Sequence, residues 1–374
     1  MANWAVDRLR QRMREEGIGA VIVADPVNVT YLSGCLIGGY ISQGNPIGYF
    51  LLTEKDAALV VPERLEFRAP GWLRLVPYTD HSAIRDVDVA LEATAGFYRA
   101  VDIVNGAGTI ATELSLLPAA AYQALNECRG IESIVDASPT MRWQRAVKGP
   151  GEVEAIRLAV RAADAAFRAV ERDIRQGASE LDVYGVCVDA ISHASGGLAV
   201  LEGDFVSGER AEGAGGHPVA RLLRPGDPLI VDIYPRLGAY WADVTRTFVV
   251  GEPTRAQRER HSLLEEAMAA GERAARPGVP LRELYRAVHG VFEREGLGGR
   301  FPHHAGHCVG VRPWEEPAIV PEGKGTLQEG MVFTLEPGLY APGEGGMRLE
   351  DNYVLTTDGP QSLSQYPKRL VTLG

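Results

Sequence analysis

The chain has 374 residues, 45% of them hydrophobic and 23% charged, with a formal net charge of −11. That length exceeds one ordinary core and predicts two domains of a soluble globular protein. The acidic balance, with no basic block, argues against a nucleic-acid partner, and no apolar run reaches the length of a membrane span.

In chain order, residues 5–16 predict a helix, residues 17–24 a short buried strand, and Asp25-Pro26-Val27-Asn28 a turn into a further element. Strands at 48–53 and 57–62 flank the turn Glu54-Lys55-Asp56, and helix and strand patterns alternate to about residue 135. This is an α/β domain with a mixed sheet. Gly34-Cys-Leu-Ile-Gly-Gly39 lacks the strand-to-helix context of a phosphate-cradling loop. Residues 138–150, running into Gly149-Pro150, are expected as a linker between an N-terminal domain (1–137) and a second domain (151–374). The second domain predicts a helix over 151–175, one capped by Ser179 and Asp182, one from the Thr254/Gln257 capping box to about Arg276, and one over 281–295. Cys35, Cys128, Cys187 and Cys308 show no Cys-x-x-Cys spacing, and the N-terminus has no apolar secretion segment, so a reducing cytoplasm is the expected home.

Two segments of the second domain read as β-hairpins, each with a carboxylate pair. In 226–250, folding back at Leu237-Gly238 sets Arg236 opposite Ala239, Tyr234 opposite Trp241 and Asp232 opposite Asp243. Directly opposed residues share a face with Cβ atoms about 4.5–5.5 Å apart. Carboxylates that close repel unless something positive lies between them. In 330–350 the fold-back falls near Gly343, with Tyr340 opposite Gly346 and Glu336 opposite Glu350. The two segments repeat one order of features, as an internal duplication across a pseudo-twofold axis would arrange them.

One such pair alone reads as salt-bridged or strand-end carboxylates. Two pairs in repeated contexts, with a histidine between them in sequence, read as a metal site. That histidine is His307, in the segment Phe301–Pro317 that holds three of the eight histidines, His303, His304 and His307. Cys308 would point away from it along an extended strand. Four carboxylates and an imidazole suit Mn, Zn, Co or Fe(II) better than Ca. Two ions about 3.5–4 Å apart generate a nucleophile from water at neutral pH.

With Asp232 and Asp243 before it, and Glu336-Pro337-Gly338 and Arg348-x-Glu350-Asp351 after it, Gly306-His307-x-x-Gly310 resembles the pita-bread metallopeptidases. The likeness is greatest to the Xaa-Pro dipeptidase (prolidase) and aminopeptidase P branch. It spans the chain, since the N-terminal half resembles the creatinase/prolidase N-terminal domain and Val147–Arg157 the family's interdomain junction. The resemblance implies an α+β pita-bread second domain with a pseudo-twofold repeat, two divalent ions (Mn, Zn or Co) and a homodimer. Asp232 and Glu336 would each favour one ion, Asp243 and Glu350 would bridge both, and His307 would cap one. Glu336 would also be the general base toward the water between the ions. His303, four residues before His307, would hydrogen-bond an oxyanion or the substrate carbonyl. Arg348 matches an arginine beside the family site, or else is a structural partner of nearby carboxylates. The implied reaction is hydrolysis of the bond between an N-terminal residue and proline in a peptide.

Two positions depart from the family pattern. The histidine usual seven residues after the metal histidine is Trp314, assigned here to the substrate pocket, and indole cannot shuttle a proton. A second family histidine falls at Gly215, with His217 two residues along as its displaced counterpart. A positioned acid/base contributes about 10²–10⁴-fold, so loss of one histidine leaves a slow peptidase or one tuned to another substrate, and loss of both argues against ordinary proline-peptide hydrolysis. Two alternatives therefore stand beside Xaa-Pro hydrolysis: cleavage of a small amide or amidine metabolite on the same fold, and a metal-binding protein without catalysis. Creatinases dispense with the metal ligands present here.

Overall fold

The computed structural model describes residues 2–37 and 47–374. The chain divides into two compact units, Met1–Arg145 and Ala146–Gly374.

The first unit runs α1 (Ala2–Glu16), β1 (Ala20–Val23), α2 (Pro26–Ser33), β2 (Tyr49–Thr53), β3 (Ala57–Pro62), β4 (Arg74–Tyr78), α3 (Val89–Ala100), β5 (Gly108–Thr112), α4 (Ala119–Glu127), β6 (Ile131–Asp136) and α5 (Ser138–Ala146). Its sheet order is β4-β3-β2-β1-β5-β6. Strand β1 is antiparallel to β2 and parallel to β5, so the sheet is mixed as expected. Asp25 caps α2 by accepting the Val27 N–H at 3.0 Å, which turns the predicted break into a helix start. Gly38 and Gly39 of the glycine-containing segment lie outside the described residues.

The expected linker at 138–150 is mostly helix α5. Asp136 Oδ1 accepts the Ser138 N–H at 3.1 Å and its hydroxyl at 2.7 Å, tying down the helix start, and Pro139 falls in the first turn, where its missing N–H costs nothing. With Met141 and Ala146 fully buried, the segment has a packed face that a linker lacks.

The second unit contains α6 (Pro150–Asp173), α7 (Glu180–Ser195), β7 (Val200–Ser207), β8 (Pro228–Leu237), β9 (Tyr240–Trp241), β10 (Val244–Val250), α8 (Arg255–Ala274) and α9 (Leu281–Arg294). There follow β11 (His307–Cys308), β12 (Glu315–Ala318), β13 (Val332–Leu335), β14 (Gly338–Ala341), β15 (Gly345–Arg348), β16 (Asp351–Thr356), β17 (Gly359–Ser362) and β18 (Val371–Leu373). One sheet is ordered β18-β10-β8-β7 with β9 beside β8, another β12-β11-β13-β16-β17, and β14 pairs with β15. Helix α6 packs on α7 and α8 on α9. The Ser179/Asp182 and Thr254/Gln257 capping boxes both form. No helix among the described residues is long and apolar enough to cross a membrane.

The second hairpin has the expected register. Tyr340 lies opposite Gly346, and the ladders on either side, Leu335 with Asp351 and Gly338 with Arg348, continue through Glu336 and Glu350. The first hairpin differs by one loop position. Leu237 pairs with Tyr240 and Arg236 with Trp241, so the turn is Gly238-Ala239 and Asp232 faces Thr245 rather than Asp243. Gly238 has φ +58°, and a two-residue hairpin loop whose first residue has positive φ favours glycine there. Because the shift moves the pairing by two, Asp232 and Asp243 stay on one face as diagonal neighbours.

Candidate metal centre

The five proposed ligands converge at the base of a cavity of about 320 Å³. Asp232, Asp243, His307, Glu336 and Glu350 are all buried, none more than 7% exposed. Each is set by a backbone feature. Asp232 sits in the centre of β8, between Asp204 of β7 and Thr245 of β10. Asp243 lies in the break between β9 and β10, where Asn352 replaces a strand partner: its amide donates to the Asp243 carbonyl at 2.6 Å and its oxygen accepts the Asp243 N–H at 3.2 Å. His307 opens β11 after Gly306, where a Cβ would lie 2.0 Å from the Thr334 carbonyl oxygen. Only glycine permits that approach, which brings the His307 N–H to Thr334 Oγ1 at 3.2 Å.

The carboxylates are half-satisfied. Asp232 Oδ2 accepts from Arg348 and, at 2.7 Å, from the Tyr234 hydroxyl, and Glu350 Oε2 accepts from Thr245 Oγ1 at 2.8 Å. Among the described residues, their other oxygens, Asp232 Oδ1 and Glu350 Oε1, and also Asp243 Oδ1, are buried without a hydrogen-bond partner. Buried orphan oxygens cost free energy unless something positive meets them. His307 Nδ1 lies 2.9 Å from the Cys308 carbonyl, which can only accept, so Nε2 carries the free lone pair. That Nε2 lies 3.4 Å from Asp243 Oδ2 and 3.3 Å from Glu336 Oε1. Burial, and after it the repulsion of facing carboxylates, pushes Asp243 and Glu350 well above the usual carboxylate range. Three orphan oxygens and an imidazole nitrogen fixed by its own second hydrogen bond are the donor set a divalent transition metal takes.

The remaining predicted residues divide. Arg348 is fully engaged by the protein: besides Asp232 it donates to the Ala214 carbonyl at 2.6 Å, the Tyr340 hydroxyl at 3.0 Å and Thr245 Oγ1 at 3.2 Å. His303 lines the cavity, but Nδ1 is 2.8 Å from the His304 carbonyl and Nε2 is 3.0 Å from the Tyr340 hydroxyl. Burial lowers its pKa to about 4 despite Glu336 nearby, and burial pushes the Tyr340 phenol up to about 12, so a neutral ring accepts from a neutral phenol. His304, not singled out by sequence, is the imidazole on Glu336, with Nε2 2.9 Å from Oε1. Burial opposes ionisation of Glu336, but the His304 hydrogen bond and the surrounding imidazoles outweigh it and hold the carboxyl down to about 2. Trp314 lines the cavity 46% exposed, its ring centroid 5.7 Å from that of His307. His217 is not brought to the site: it is exposed, and its carbonyl accepts from Arg210 at 2.9 Å while Gly215 lines the cavity. Burial pushes the Cys308 thiol up to about 11.

Residues 154–357 match Metallopeptidase family M24, and residues 6–147 match the creatinase/prolidase N-terminal domain. The chain belongs to Metallopeptidase family M24. It is 28% identical over 371 residues to an Xaa-Pro dipeptidase of Pyrococcus horikoshii, covering 99% of each chain. Among solved structures it is similar to the prolidase from Pyrococcus furiosus, with TM-score 0.78 and 27% identity over 96% of this chain and 99% of that one. It is also similar to the X-Pro aminopeptidase from Thermotoga maritima, with TM-score 0.81 and 25% identity over 98% of this chain and 99% of that one. The two-domain pita-bread fold and the metal-dependent hydrolase expected of this M24 chain are thereby established.

Proposed function

We propose that the protein is an Xaa-Pro dipeptidase using two divalent ions of the Mn, Zn or Co class. The reading rests above all on the two carboxylate pairs and His307, which meet with three unpartnered oxygens at the floor of one cavity. Full-length likeness to an Xaa-Pro dipeptidase supports the substrate class. Asp232, Asp243, His307, Glu336 and Glu350 would hold the ions, which when bound supply Lewis acidity and a water-derived nucleophile at neutral pH.

The chain's own groups do the rest. Glu336, its carboxylate held by the His304 ring at 2.9 Å, would accept the proton of the attacking water. Arg348 and Tyr234 hold Asp232 by one oxygen and leave the other facing the site. Trp314 gives the cavity an apolar wall over His307, against which a prolyl ring packs. The cavity volume lies at the lower end for small-molecule sites and suits a dipeptide. Four free cysteines fit a reducing cytoplasm. A homodimer is carried over from the family resemblance alone, and light scattering tests it.

The test is release of free amino acid from a panel of Xaa-Pro dipeptides and longer Xaa-Pro peptides with added Mn, Co or Zn. Turnover confined to metal-loaded protein and to Xaa-Pro bonds is expected. No turnover with metal bound overturns the reading in favour of small-amide hydrolysis, which Trp314 and Gly215, standing where the family resemblance places histidines, would accommodate.

A further inference from the structure

Asp204 is a fifth carboxylate on the cavity wall, outside the ligand set. It lies directly opposite Asp232 across β7 and β8, so the two side chains share a face. Its placement depends on residue 215 having no side chain: a Cβ on Gly215 would fall 2.4 Å from Asp204 Oδ2. The carboxylate fills that space and is locked by the Gly216 N–H, which donates to Oδ1 at 2.8 Å. Among the described residues Oδ2 has only distant neighbours, the Tyr234 hydroxyl at 3.4 Å and Arg348 Nη2 at 3.6 Å. The side chain is 28% exposed and borders the cavity.

Charge decides what that free oxygen recognises. The four ligand carboxylates and Arg348 leave an excess of three negative charges, which two divalent ions and one hydroxide would bring to neutrality. A neutral floor does not by itself attract a cationic substrate group. Asp204 adds one negative charge and presents an acceptor beside that floor.

We infer that Asp204 is a specificity-determining residue that binds the terminal ammonium of the substrate, so the cavity takes free-amino peptides in preference to N-blocked ones. This rests on the peptidase reading for the substrate's remaining parts, but not for its cationic group. Arg348 and Tyr234 make their short contacts to Asp232 and only long ones to Asp204 Oδ2, so Oδ2 of Asp204 is the acceptor an incoming donor meets.

The experiment uses the metal-loaded protein and two uncleavable ligands: the reduced (CH2–N) isostere of Ala-Pro, and the same compound N-acetylated. Both carry the same ring nitrogen, and comparing wild type with Asp204→Asn separates the ammonium contact from the bulk and metal chelation that acetylation also changes. Calorimetry on wild type should give at least tenfold tighter binding of the free-amino form, and Asp204→Asn, which keeps the Gly216 acceptor, should remove most of that preference. In kinetics on Ala-Pro, Asp204→Asn should raise KM about tenfold with kcat nearly unchanged, a split that a merely structural role would not produce. Gly215→Ala, whose Cβ displaces the carboxylate, should reproduce the loss of preference. Equal binding of both ligands by wild type, or an undiminished preference in both variants, overturns the proposal. If the preference is present but Ala-Pro is not hydrolysed, the peptidase reading fails while the role of Asp204 stands. Hydrolysis without the preference is the converse.

Discussion

Arg348 and Asp232 form a buried ion pair in which the guanidinium takes one carboxylate oxygen and leaves the other without a partner. In the proposed site the arginine would thus organise the ligand set, itself held by the Tyr340 and Thr245 hydroxyls and the Ala214 carbonyl. Removing one partner of a buried pair strands the other charge and typically costs about 3–5 kcal/mol. Arg348→Met should therefore lower the urea stability of the metal-free protein by that order. Arg348→Lys should recover little, because an ammonium cannot span the same spread of acceptors. Urea unfolding of chelator-treated protein checks this, and wild-type stability in Arg348→Met would refute the organising role.

The raised pKa values of Asp243 and Glu350, caused first by burial and then by neighbouring carboxylates, predict a proton count. Their native values lie above their unfolded ones, so their contribution to stability is full below about pH 4 and is lost as pH rises through the raised values. The metal-free protein should lose stability over that rise, and metal saturation should abolish the loss. Because an ion must displace whatever protons are held there, binding should release protons, and more of them at lower pH. Calorimetric titration of Zn or Mn in buffers of different ionisation enthalpy measures the number directly. A count of zero would mean that both carboxylates are already ionised without metal.

What could be read from the chain and what could not has a physical pattern. Glu336 and Glu350 were placeable because a Pro/Gly-rich loop marks the fold-back near Gly343 and one register runs through both flanking ladders. The first hairpin was off by one loop position, since Leu237-Gly238-Ala239 holds a single glycine and either loop phase can be written, yet parity kept Asp232 and Asp243 on one face. Asp204, Thr245 and Asn352 carry no local signal, because each acts through contacts made across strands. His303 and His304 are adjacent, and only the backbone path decides which ring reaches Glu336. His217 followed from a count along the chain, and the loop that carries it turns outward.

Thr245 makes the clearest test of support around the ligands. Its hydroxyl donates to Glu350 Oε2 and accepts from Arg348 Nε, in a residue with no solvent exposure. Valine keeps the β-branched shape that suits β10 while removing both bonds. With Oε1 already orphaned, Thr245→Val removes the hydroxyl that serves the buried Oε2 of Glu350. The metal-free protein should lose about 1–3 kcal/mol, and metal affinity should fall about 10–100-fold. Competition against a chromogenic chelator gives the affinity, and an unchanged value would show that the metal site does not depend on this hydroxyl.

Trp314 is proposed to bear on rate rather than on metal binding. Its indole borders the cavity with its centroid 5.7 Å from the His307 ring, and the only polar atom it offers is a donor. An imidazole in this place could exchange a proton with the reacting groups, and a positioned acid/base is worth about 10²–10⁴-fold. Part of that gain would be offset by losing the apolar wall for the prolyl ring. Trp314→His should therefore raise kcat on Ala-Pro by about tenfold or more and raise KM at the same time, with metal content unchanged. Steady-state kinetics at matched metal occupancy separates the two parameters. A fall in kcat would show that the indole is itself part of the working site and that the chemistry here is not limited by a missing histidine.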